Sequence, residues 1–259
     1  MKVEAEGAAA GSAMGKALAL LEAISNSAQG LNLTDAAAAT GMPKQTAHRV
    51  LRQLLELDLL GRDPATDRYL CSQRMRRLSA AVLGSVGSEA YSRRLLQQLV
   101  DELHETCNIG VLDGTQVLYV DRVECDWPLR VQLQPGSRVP AHCTAIGKLL
   151  LAHVMPGRLR RLLDELPLQV FTPRTLRTPE HLAQALQQIR QCGFAINEEE
   201  DSLGLNALAV PIRDPRGRVV AGLAVHAPLA RMDLAAMVGK RERLERCAAD
   251  IARNWFGPQ

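Results

Sequence analysis

Three short helical patterns followed by a hairpin pattern occupy the first 77 residues, and few folds accommodate this order. The first pattern begins at Gly15 and ends within the stretch Ser25–Gly30. Thr34 is placed to cap a second helix, and Gly41 is placed to end it. We therefore expect a small helical unit in which the short turn Thr40–Met42 separates the second helix from the third.

The third helix is predicted to begin at Pro43, because proline suits the first turn of a helix, and to run to about Leu57. Two short strands are predicted on either side of the polar turn Asp63–Asp67. This order of elements is that of a winged helix-turn-helix, in which the second helix of the motif enters the major groove of DNA. The alternative is a plain helical bundle with a solvated cationic face.

Positive charge is concentrated in this same part of the chain. The formal net charge of the whole protein is +3, whereas positions 44 to 77 alone contain eight Lys and Arg and four Asp and Glu, a net charge of +4. A local cationic excess is typical of a surface that binds nucleic acid. The candidate DNA contacts are Thr34, Lys44, Gln45, Thr46, His48, Arg49, Arg52, Arg62 and Arg68.

These candidates differ in the contact that their chemistry allows. The Gln45 amide has the geometry to recognise adenine, and Thr46 can contact a base or a phosphate. The long cationic side chains on the same helix suit phosphate contacts, which position the helix without reading sequence. Arg62 and Arg68 flank the hairpin and could touch the DNA backbone or the neighbouring minor groove. For His48, an intramolecular hydrogen bond is an open alternative to a base contact.

Beyond this unit, a long amphipathic helix is predicted at Glu89–Glu105, and strand patterns begin at Ile109. The helix would connect the first unit to an α+β domain with a mainly antiparallel sheet flanked by helices. The predicted strands are Ile109–Leu112, Val117–Val123, Arg130–Leu133, Phe194–Asn197, Ala207–Arg213 and Val219–His226. The predicted helices are Thr144–His153, Gly157–Leu166, Thr178–Gly193 and Asp233–Trp255.

The rest of the sequence argues against several classes of protein. The six cysteines are scattered without a C-x-x-C pair, so we expect the reduced thiols of a cytoplasmic protein and neither disulfides nor a zinc site. No segment has the apolar length of a membrane span, so no membrane contact is expected. Gly147-Lys148 lacks the earlier glycine of a phosphate-binding loop, and no nucleophile or dinucleotide-binding motif occurs. We therefore expect no cofactor, no metal and no enzymatic activity.

Two segments of the C-terminal domain carry a resemblance to a known family. In Val139–Ala152, Pro-x-His precedes a small hydroxylated residue and Gly-Lys; in Gly193–Ile212, a Gly-aromatic start precedes paired acidic residues, a glycine and Ala-x-Pro. The matching residues are Pro140, His142, Thr144, Gly147, Lys148, Gly193, Phe194, Glu199, Glu200, Gly204, Ala209 and Pro211, and those of the first unit are Leu33-Thr34, Thr40–Lys44 and His48-Arg49. Over roughly residues 15–256, this pattern resembles the IclR family of bacterial transcriptional regulators.

The resemblance implies a GAF-like effector-binding domain, a homodimer held partly through the DNA-binding domains, and often a tetramer. It also implies that the effector is a small organic acid, aromatic or aliphatic, bound between the sheet and the Pro-x-His to Gly-Lys segment. The pocket positions carried over to this chain are Thr144, Ala145, Ile146, Asn197, Ala207, Ala224 and His226. Several members have small hydroxylated residues where this chain has Ala224 and His226, so different effector contacts are expected there.

The chemistry of these positions favours an anionic ligand. Thr144–Ile146 lie near a predicted helix N-terminus, whose N–H groups attract an anion. His226 or Arg130 could add a cationic partner. We include His142 among the effector candidates, with the alternative that it braces its loop. The acidic stretch Glu198–Asp201 is either a solvated loop or a brace for the lid of the pocket.

We divide the chain into a flexible N-terminus (residues 1–14), a winged helix-turn-helix (15–77), a helical linker (78–107) and an effector-binding domain (108–259). The predicted function is sequence-specific binding to double-stranded operator DNA under the control of the effector. Effector binding would change the relative placement of two winged helices through the linker. The alternative is a ligand-binding module, or an enzyme, whose N-terminal domain does not bind specific DNA.

Overall fold

The computed structural model describes residues 12–27, 29–85, 88–128, 133 and 135–257, with only the backbone for those between 80 and 90. The chain forms two compact units, Met1–Ser79 and Ala80–Gln259, each with its own hydrophobic core. The first contains the helices α1 (Ala13–Ser25), α2 (Leu33–Thr40) and α3 (Lys44–Glu56), the strands β1 (Leu60–Arg62) and β2 (Tyr69–Cys71), and the start of α4 (Gln73–Ser85). The predicted order of helices and hairpin is confirmed, and β1 and β2 pair in antiparallel register.

The start of α2 differs from the prediction. Asn32 caps this helix, because its Oδ1 accepts a hydrogen bond from the Asp35 N–H at 2.9 Å. Asn32 has the extended backbone that an N-cap requires, whereas Thr34 lies inside the first turn. The expected end at Gly41 is confirmed: its φ of 65° lies in the left-handed region, where glycine avoids the strain of a side chain.

Small residues bring the helices of the first unit close together. Ala36 of α2 and Ala47 of α3 are fully buried in one cluster with Leu20 of α1. The hairpin is fastened to the segment before α2, since Tyr69 N–H donates to the Leu31 carbonyl at 2.8 Å and Leu31 N–H donates back at 3.2 Å. These contacts fix the orientation of α3 within the unit.

A six-stranded antiparallel sheet in the order β5-β4-β3-β8-β7-β6 forms the centre of the second unit. Its strands are β3 (Thr106–Asp113), β4 (Gln116–Val123), β5 (Arg138–Pro140), β6 (Ala195–Glu198), β7 (Leu205–Arg213) and β8 (Val219–Pro228). β3 and β8 pair in the middle, from Thr106↔His226 to Gly110↔Gly222. The mainly antiparallel sheet is thus confirmed. Of the predicted strand Arg130–Leu133, all but Leu133 lies outside the described residues, and one edge is formed by β5, which the sequence did not predict.

Helices cover both faces of this sheet. α5 (Ser88–Leu103), α9 (Leu234–Val238) and α10 (Arg241–Phe256) share one core, and α6 (Ala145–Ala152), α7 (Pro156–Glu165) and α8 (Pro179–Cys192) share the other. The single C-terminal helix predicted at Asp233–Trp255 is interrupted, since α9 ends with Gly239 as its C-cap. Glycine is among the weakest helix formers, which explains the break. None of the helices within the described ranges is long and apolar enough to cross a membrane.

Two glycines allow α6 to lie close against the sheet. A Cβ atom on Gly222 would lie 3.0 Å from Ile146 Cγ2, and one on Gly110 would lie 3.3 Å from the same atom. Because side chains alternate along a strand, Ala224 and His226 continue the same face of β8 beyond Gly222. The sheet therefore presents one continuous face that runs from under α6 to His226.

Candidate functional site

The exposed side of α3 carries the candidate DNA contacts. Ala47, Val50, Leu51 and Leu54 point into the core of the first unit. The opposite side is exposed, and it presents Lys44, Gln45, His48, Arg49 and Arg52 to solvent, with Thr46 partly buried. Thr34 is exposed in the first turn of α2. The helix therefore offers a polar, cationic surface at the position where a recognition helix meets DNA.

The two arginines of the hairpin have different surroundings. Arg62 Nη2 lies 2.5 Å from Asp67 Oδ1, and half of the Arg62 side chain remains exposed. The Asp67 carboxylate, through its hydrogen bond and its charge, raises the pKa of Arg62. Arg68 Nη1 instead donates to the Gly30 carbonyl at 2.9 Å and is partly buried. The Arg62 side chain therefore remains exposed to solvent, while the Arg68 side chain holds the hairpin against the loop before α2.

The second candidate site lies on the face of the sheet that α6 covers. Small residues form its floor, where Ala207, Ala209 and Ala224 are fully buried. His226 lies opposite Ala207 in the sheet, and its Nε2 donates a hydrogen bond to Asn108 Oδ1 at 3.0 Å. The buried Asn108 Nδ2 has no hydrogen-bond partner among the described residues. The polar side chains of His226 and Asn108 therefore lie beside a surface formed by alanine methyl groups.

The N-terminus of α6 faces this region. Thr144 caps the helix: its hydroxyl accepts from the Gly147 N–H at 3.3 Å and donates to the Pro140 carbonyl at 2.8 Å. The N–H groups of Ala145 and Ile146 make no hydrogen bond to any residue that the structure describes. Such N–H groups, with the positive end of the helix dipole, favour an anion. The Ile146 side chain itself packs over Gly222 as part of the core.

Two titratable groups on this face, His226 and Tyr119, have strongly shifted pKa values. Burial, and secondly the charge of Arg122, lowers the pKa of His226 to about 3. Burial raises the pKa of Tyr119, whose ring meets that of His226 edge-on at 6.5 Å, to about 12. At neutral pH the imidazole is neutral and the phenol is protonated. A cationic group also lies on this face: Arg122 lies opposite Asn108 with 1% of its side chain exposed, and its Nε is 3.5 Å from Glu124 Oε1. A neutral His226 does not supply the cationic partner for which the sequence offered His226 or Arg130.

The acidic loop after β6 closes the site on another side. Asn197 Nδ2 donates to Asp201 Oδ1 at 2.5 Å, and Asn197 Oδ1 accepts from the Glu200 N–H at 2.8 Å. Burial raises the pKa of Asp201. Burial, followed by the charge of Asp201, also raises the pKa of the Cys143 thiol to about 12, which places Asp201 beside the residue that precedes the α6 cap. Asn197 thus holds a carboxyl group at the site.

A buried ion pair joins this loop to α6. Lys148 Nζ bonds to Glu200 Oε1, and both side chains are at least nine-tenths buried. Burial raises the pKa of Glu200, and the charge of Lys148 opposes that rise. The Thr175 hydroxyl donates to the Glu200 carbonyl at 2.6 Å, and Thr172 donates to the Glu199 carbonyl at 2.7 Å. Of the two interpretations of the acidic stretch, the brace is therefore the one that the contacts support.

His142 has a bracing contact as well. Its Nε2 donates to the Gln169 carbonyl at 2.9 Å, and its ring lies 6.1 Å from that of Phe171. Burial lowers the pKa of His142. This is the contact expected of the structural alternative. Arg130 lies outside the described residues. Within the ranges that the structure covers, no group of three or more His, Cys, Asp or Glu side chains could hold a metal ion.

Comparison with known families accounts for both units. The IclR helix-turn-helix domain matches residues 13–64, and the bacterial transcriptional regulator IclR C-terminal domain matches residues 80–253. The chain belongs to the IclR family. An IclR-family protein with this helix-turn-helix is a transcriptional regulator that binds DNA, and its relatives are named as regulators and not as enzymes.

Individual relatives agree with this IclR assignment. The protein named probable transcriptional regulator SauR, from Cupriavidus necator, is 42% identical over 93% of this chain and 95% of its own length. The structure of IclR from Thermotoga maritima has a TM-score of 0.63 and 25% identity, and covers 95% of this chain and 98% of its own. An IclR homologue from Microbacterium hydrocarbonoxydans, complexed with 4-hydroxybenzoate, has a TM-score of 0.59 and 22% identity over 94% of this chain and 98% of its own.

Sequence reasoning left five residues of this site out of the effector candidates, although it named Lys148 in the family pattern and Asp201 in the acidic stretch. Asn108, Tyr119 and Arg122 come from two paired strands, and Lys148 and Asp201 reach the site from α6 and from the loop after β6. The available signal was weak. Asn108 is a polar residue between the apolar Cys107 and Ile109, and Lys148 is a cation within an apolar helix, so both needed buried partners.

The approach of α6 to the loop before it gives a first prediction. A Cβ atom on Gly147 would lie 2.2 Å from the Ala141 carbonyl oxygen, which belongs to the backbone and cannot rotate away. We expect Gly147→Ala to lower the free energy of unfolding by about 1–3 kcal/mol through overpacking. Urea unfolding measures this, with Gly157→Ala as the control, since nothing lies within 4 Å of a Cβ at that position. Equal losses in the two variants would show that the close approach is not responsible.

Proposed function

We propose that this regulator binds a specific operator in duplex DNA, and that a small organic acid bound beneath α6 controls that binding. The observation that carries the proposal is that the α6 N-terminus lies over the face of the sheet on which Asn108 and His226, from the central strands β3 and β8, form a polar pair. There the N–H groups of Ala145 and Ile146 and the charge of Arg122 favour an anion. Asp201 and Asn108 add hydrogen-bonding groups that a second polar group of the ligand could use.

Both an acidic group and a hydroxyl group therefore suit the ligand. The carboxylate would accept hydrogen bonds at the helix N-terminus, and a hydroxyl would donate to the Asp201 carboxylate. The 4-hydroxybenzoate found with the Microbacterium homologue has both groups, which supports this class of effector without naming the effector of this chain. Aliphatic hydroxy acids remain equally compatible with a floor of alanines.

The test is binding of the purified protein to labelled DNA from beside its own gene, across a salt series and against scrambled duplex. We expect specific binding that weakens steeply with salt, because phosphate contacts release counterions. Adding matched pairs of acids, 4-hydroxybenzoate with benzoate and glycolate with acetate, should shift operator affinity, with the hydroxylated member acting at lower concentration. No preference over scrambled DNA would refute the first half of the proposal, and no response to any acid would refute the second.

The recognition helix gives a second prediction. Gln45→Ala should reduce discrimination between the operator and its single-base variants by about 1–3 kcal/mol at one position, because an amide that reads adenine is lost. Arg52→Ala should weaken binding to all sequences alike, because its phosphate contact carries no sequence information. Fluorescence anisotropy with operator and scrambled duplexes separates the two effects. If neither variant changes operator affinity, α3 is not the recognition helix.

We include a homodimer, or a tetramer built from two such dimers, in the proposal. Met14 and Leu18 lie four residues apart on α1 and are 72% and 53% exposed. They form an apolar stripe that a second copy of the chain would cover. Sedimentation of the full chain tests this, and a monomer at the concentrations that saturate operator DNA would refute it.

A further inference from the structure

A β-bulge in β4 shifts the register between β3 and β4 by one residue. Ile109 pairs with Asp121, whereas Gly110 pairs with Tyr119, so Val120 is the extra residue. As a result Tyr119 and Arg122 share the ligand-facing side, while Asp121 faces the core that α5 covers. Asp121, which faces α5, directly precedes Arg122, which faces the pocket, because side chains alternate along the strand beyond the bulge.

Asp121 binds α5 directly. Arg93, on α5, donates from Nη1 to Asp121 Oδ1 at 2.8 Å and to the Arg122 carbonyl at 3.3 Å. The same Asp121 oxygen accepts from the Arg122 N–H at 2.8 Å, and only 12% of the Asp121 side chain is exposed. Arg93 therefore contacts both peptide groups of Arg122. It bonds directly to the carbonyl, and it bonds through the Asp121 carboxylate to the N–H.

The other end of this connection lies in the pocket. Arg122 is paired with Asn108 across β3 and β4, at the separation where facing side chains interact. Asn108 in turn accepts the hydrogen bond of His226. Arg122 Nε lies 3.5 Å from Glu124 Oε1, so a ligand anion would compete with Glu124 for the guanidinium. A resulting shift of the Arg122 side chain would move the peptide groups that Arg93 and Asp121 hold. α5 follows α4 in the chain, and α4 follows the hairpin of the DNA-binding unit.

We propose that Arg93–Asp121 is the link through which the state of the effector pocket reaches α5 and, along the chain, the DNA-binding unit. This inference rests on the proposed function, since it assigns the route by which the same pocket controls DNA binding. It names Arg93 and Asp121 as positioning residues that touch neither ligand nor DNA. A second ion pair on the same helix provides the control. Glu102 of α5 lies 2.5 Å from Arg243 of α10, and neither residue is on a strand that lines the pocket.

A built-in anion tests the link without knowledge of the effector. Asn108→Asp places a carboxylate of the same shape opposite Arg122. In the full-length protein we expect this change to alter operator affinity at least about fivefold, within the usual range of allosteric coupling. With Arg93→Gln also present, the effect of Asn108→Asp should fall below about twofold. With Glu102→Gln it should persist.

Three results would overturn the proposal. In the first, Asn108→Asp does not change operator affinity in the otherwise natural chain. In the second, the change in operator affinity is as large when Arg93→Gln is also present. In the third, Glu102→Gln removes this change as completely as Arg93→Gln does. Should Asn108→Asp fail to fold, Arg122→Gln, which removes the cation at the pocket end of the link, takes its place in the same cycle with the same expectations.

Failure of the proposed function is distinguished by a second readout. If the natural chain does not prefer its flanking DNA, the same variants are compared by amide hydrogen exchange of residues 88–103. The link then requires that Asn108→Asp changes the protection of α5 in the natural background and not beside Arg93→Gln. Unchanged protection in both backgrounds would refute the link itself, whatever the DNA-binding unit does.

Discussion

Lys148→Met is expected to lower the free energy of unfolding by about 3–5 kcal/mol at neutral pH, because it leaves the Glu200 carboxylate buried without its cation. Glu200 is already disfavoured as an anion by burial, which raises its pKa. Removing Lys148 removes the charge that opposes this rise. The carboxylate must then take up a proton or remain in a poorly solvated position, and either costs stability.

The dependence on pH identifies the cause. A group whose pKa is raised on folding contributes stability that is present at low pH and lost as pH rises through its folded pKa. The deficit of Lys148→Met should therefore be larger at pH 8 than at pH 5. Lys148→Met combined with Glu200→Gln should recover a substantial part of the loss, because no buried charge remains.

An exposed pair provides the control for this measurement. Arg52 and Glu56 lie 3.4 Å apart one helical turn from each other, with about two-thirds of each side chain exposed. Arg52→Met should change stability by less than about 1 kcal/mol, as is usual for surface pairs. Urea unfolding of the three variants at both pH values decides the matter. A loss from Lys148→Met no larger than that from Arg52→Met would show that burial does not govern the pair.

Acid is expected to destabilise the second unit through His226. Its folded pKa is about 3, against an ordinary value of about 6.5, so between these values the unfolded chain binds a proton that the folded chain does not. Stability from this group is complete above pH 6.5 and is lost as pH falls. The loss amounts to about 1.4 kcal/mol between pH 7.5 and 5.5, and to about 4 kcal/mol by pH 3.5.

His226→Gln isolates this effect, because glutamine keeps a donor for Asn108 and does not titrate. We expect the difference in unfolding free energy between the natural chain and this variant to shift in favour of the variant as pH falls. His142 and His153, whose pKa values burial also lowers, act in the same direction and are present in both proteins. The matched substitution is His181→Gln, at an exposed position of α8. If it flattens the pH dependence as much as His226→Gln does, His226 is not the source.

Local signals in the sequence predicted much of the fold. Thr178 followed by proline begins α8, and Gly193 ends it with a φ of 80°, as expected of a cap and a left-handed stop. These signals act within a few residues, so they can be recognised without knowledge of the partner segments. Asn32 was missed because two polar residues, Asn32 and Thr34, could each cap α2, and only the backbone angles decide between them.

The pocket could be predicted only in part, because its geometry depends on long-range register. Plain alternation along β4 would place Tyr119 and Asp121 on one face, whereas the bulge places Tyr119 with Arg122. The partners Lys148 and Glu200 are separated by 52 positions, so no local pattern links them. The family resemblance supplied site positions on α6, β6, β7 and β8. The site residues of β3 and β4 can be identified only from the register of these strands in the sheet.

The pairing of β3 with β8 has a consequence for biosynthesis. The first unit is complete by about residue 79, whereas the central strand β8, Val219–Pro228, is synthesised about 140 residues later. Until then β3 has one neighbour instead of two, and His226 has not yet reached Asn108. Contacts of such long separation form slowly, so the unit that carries α3 is complete before the unit that carries the candidate effector site. Synthesis that stops before Val219 would thus yield the first unit without the centre of the sheet.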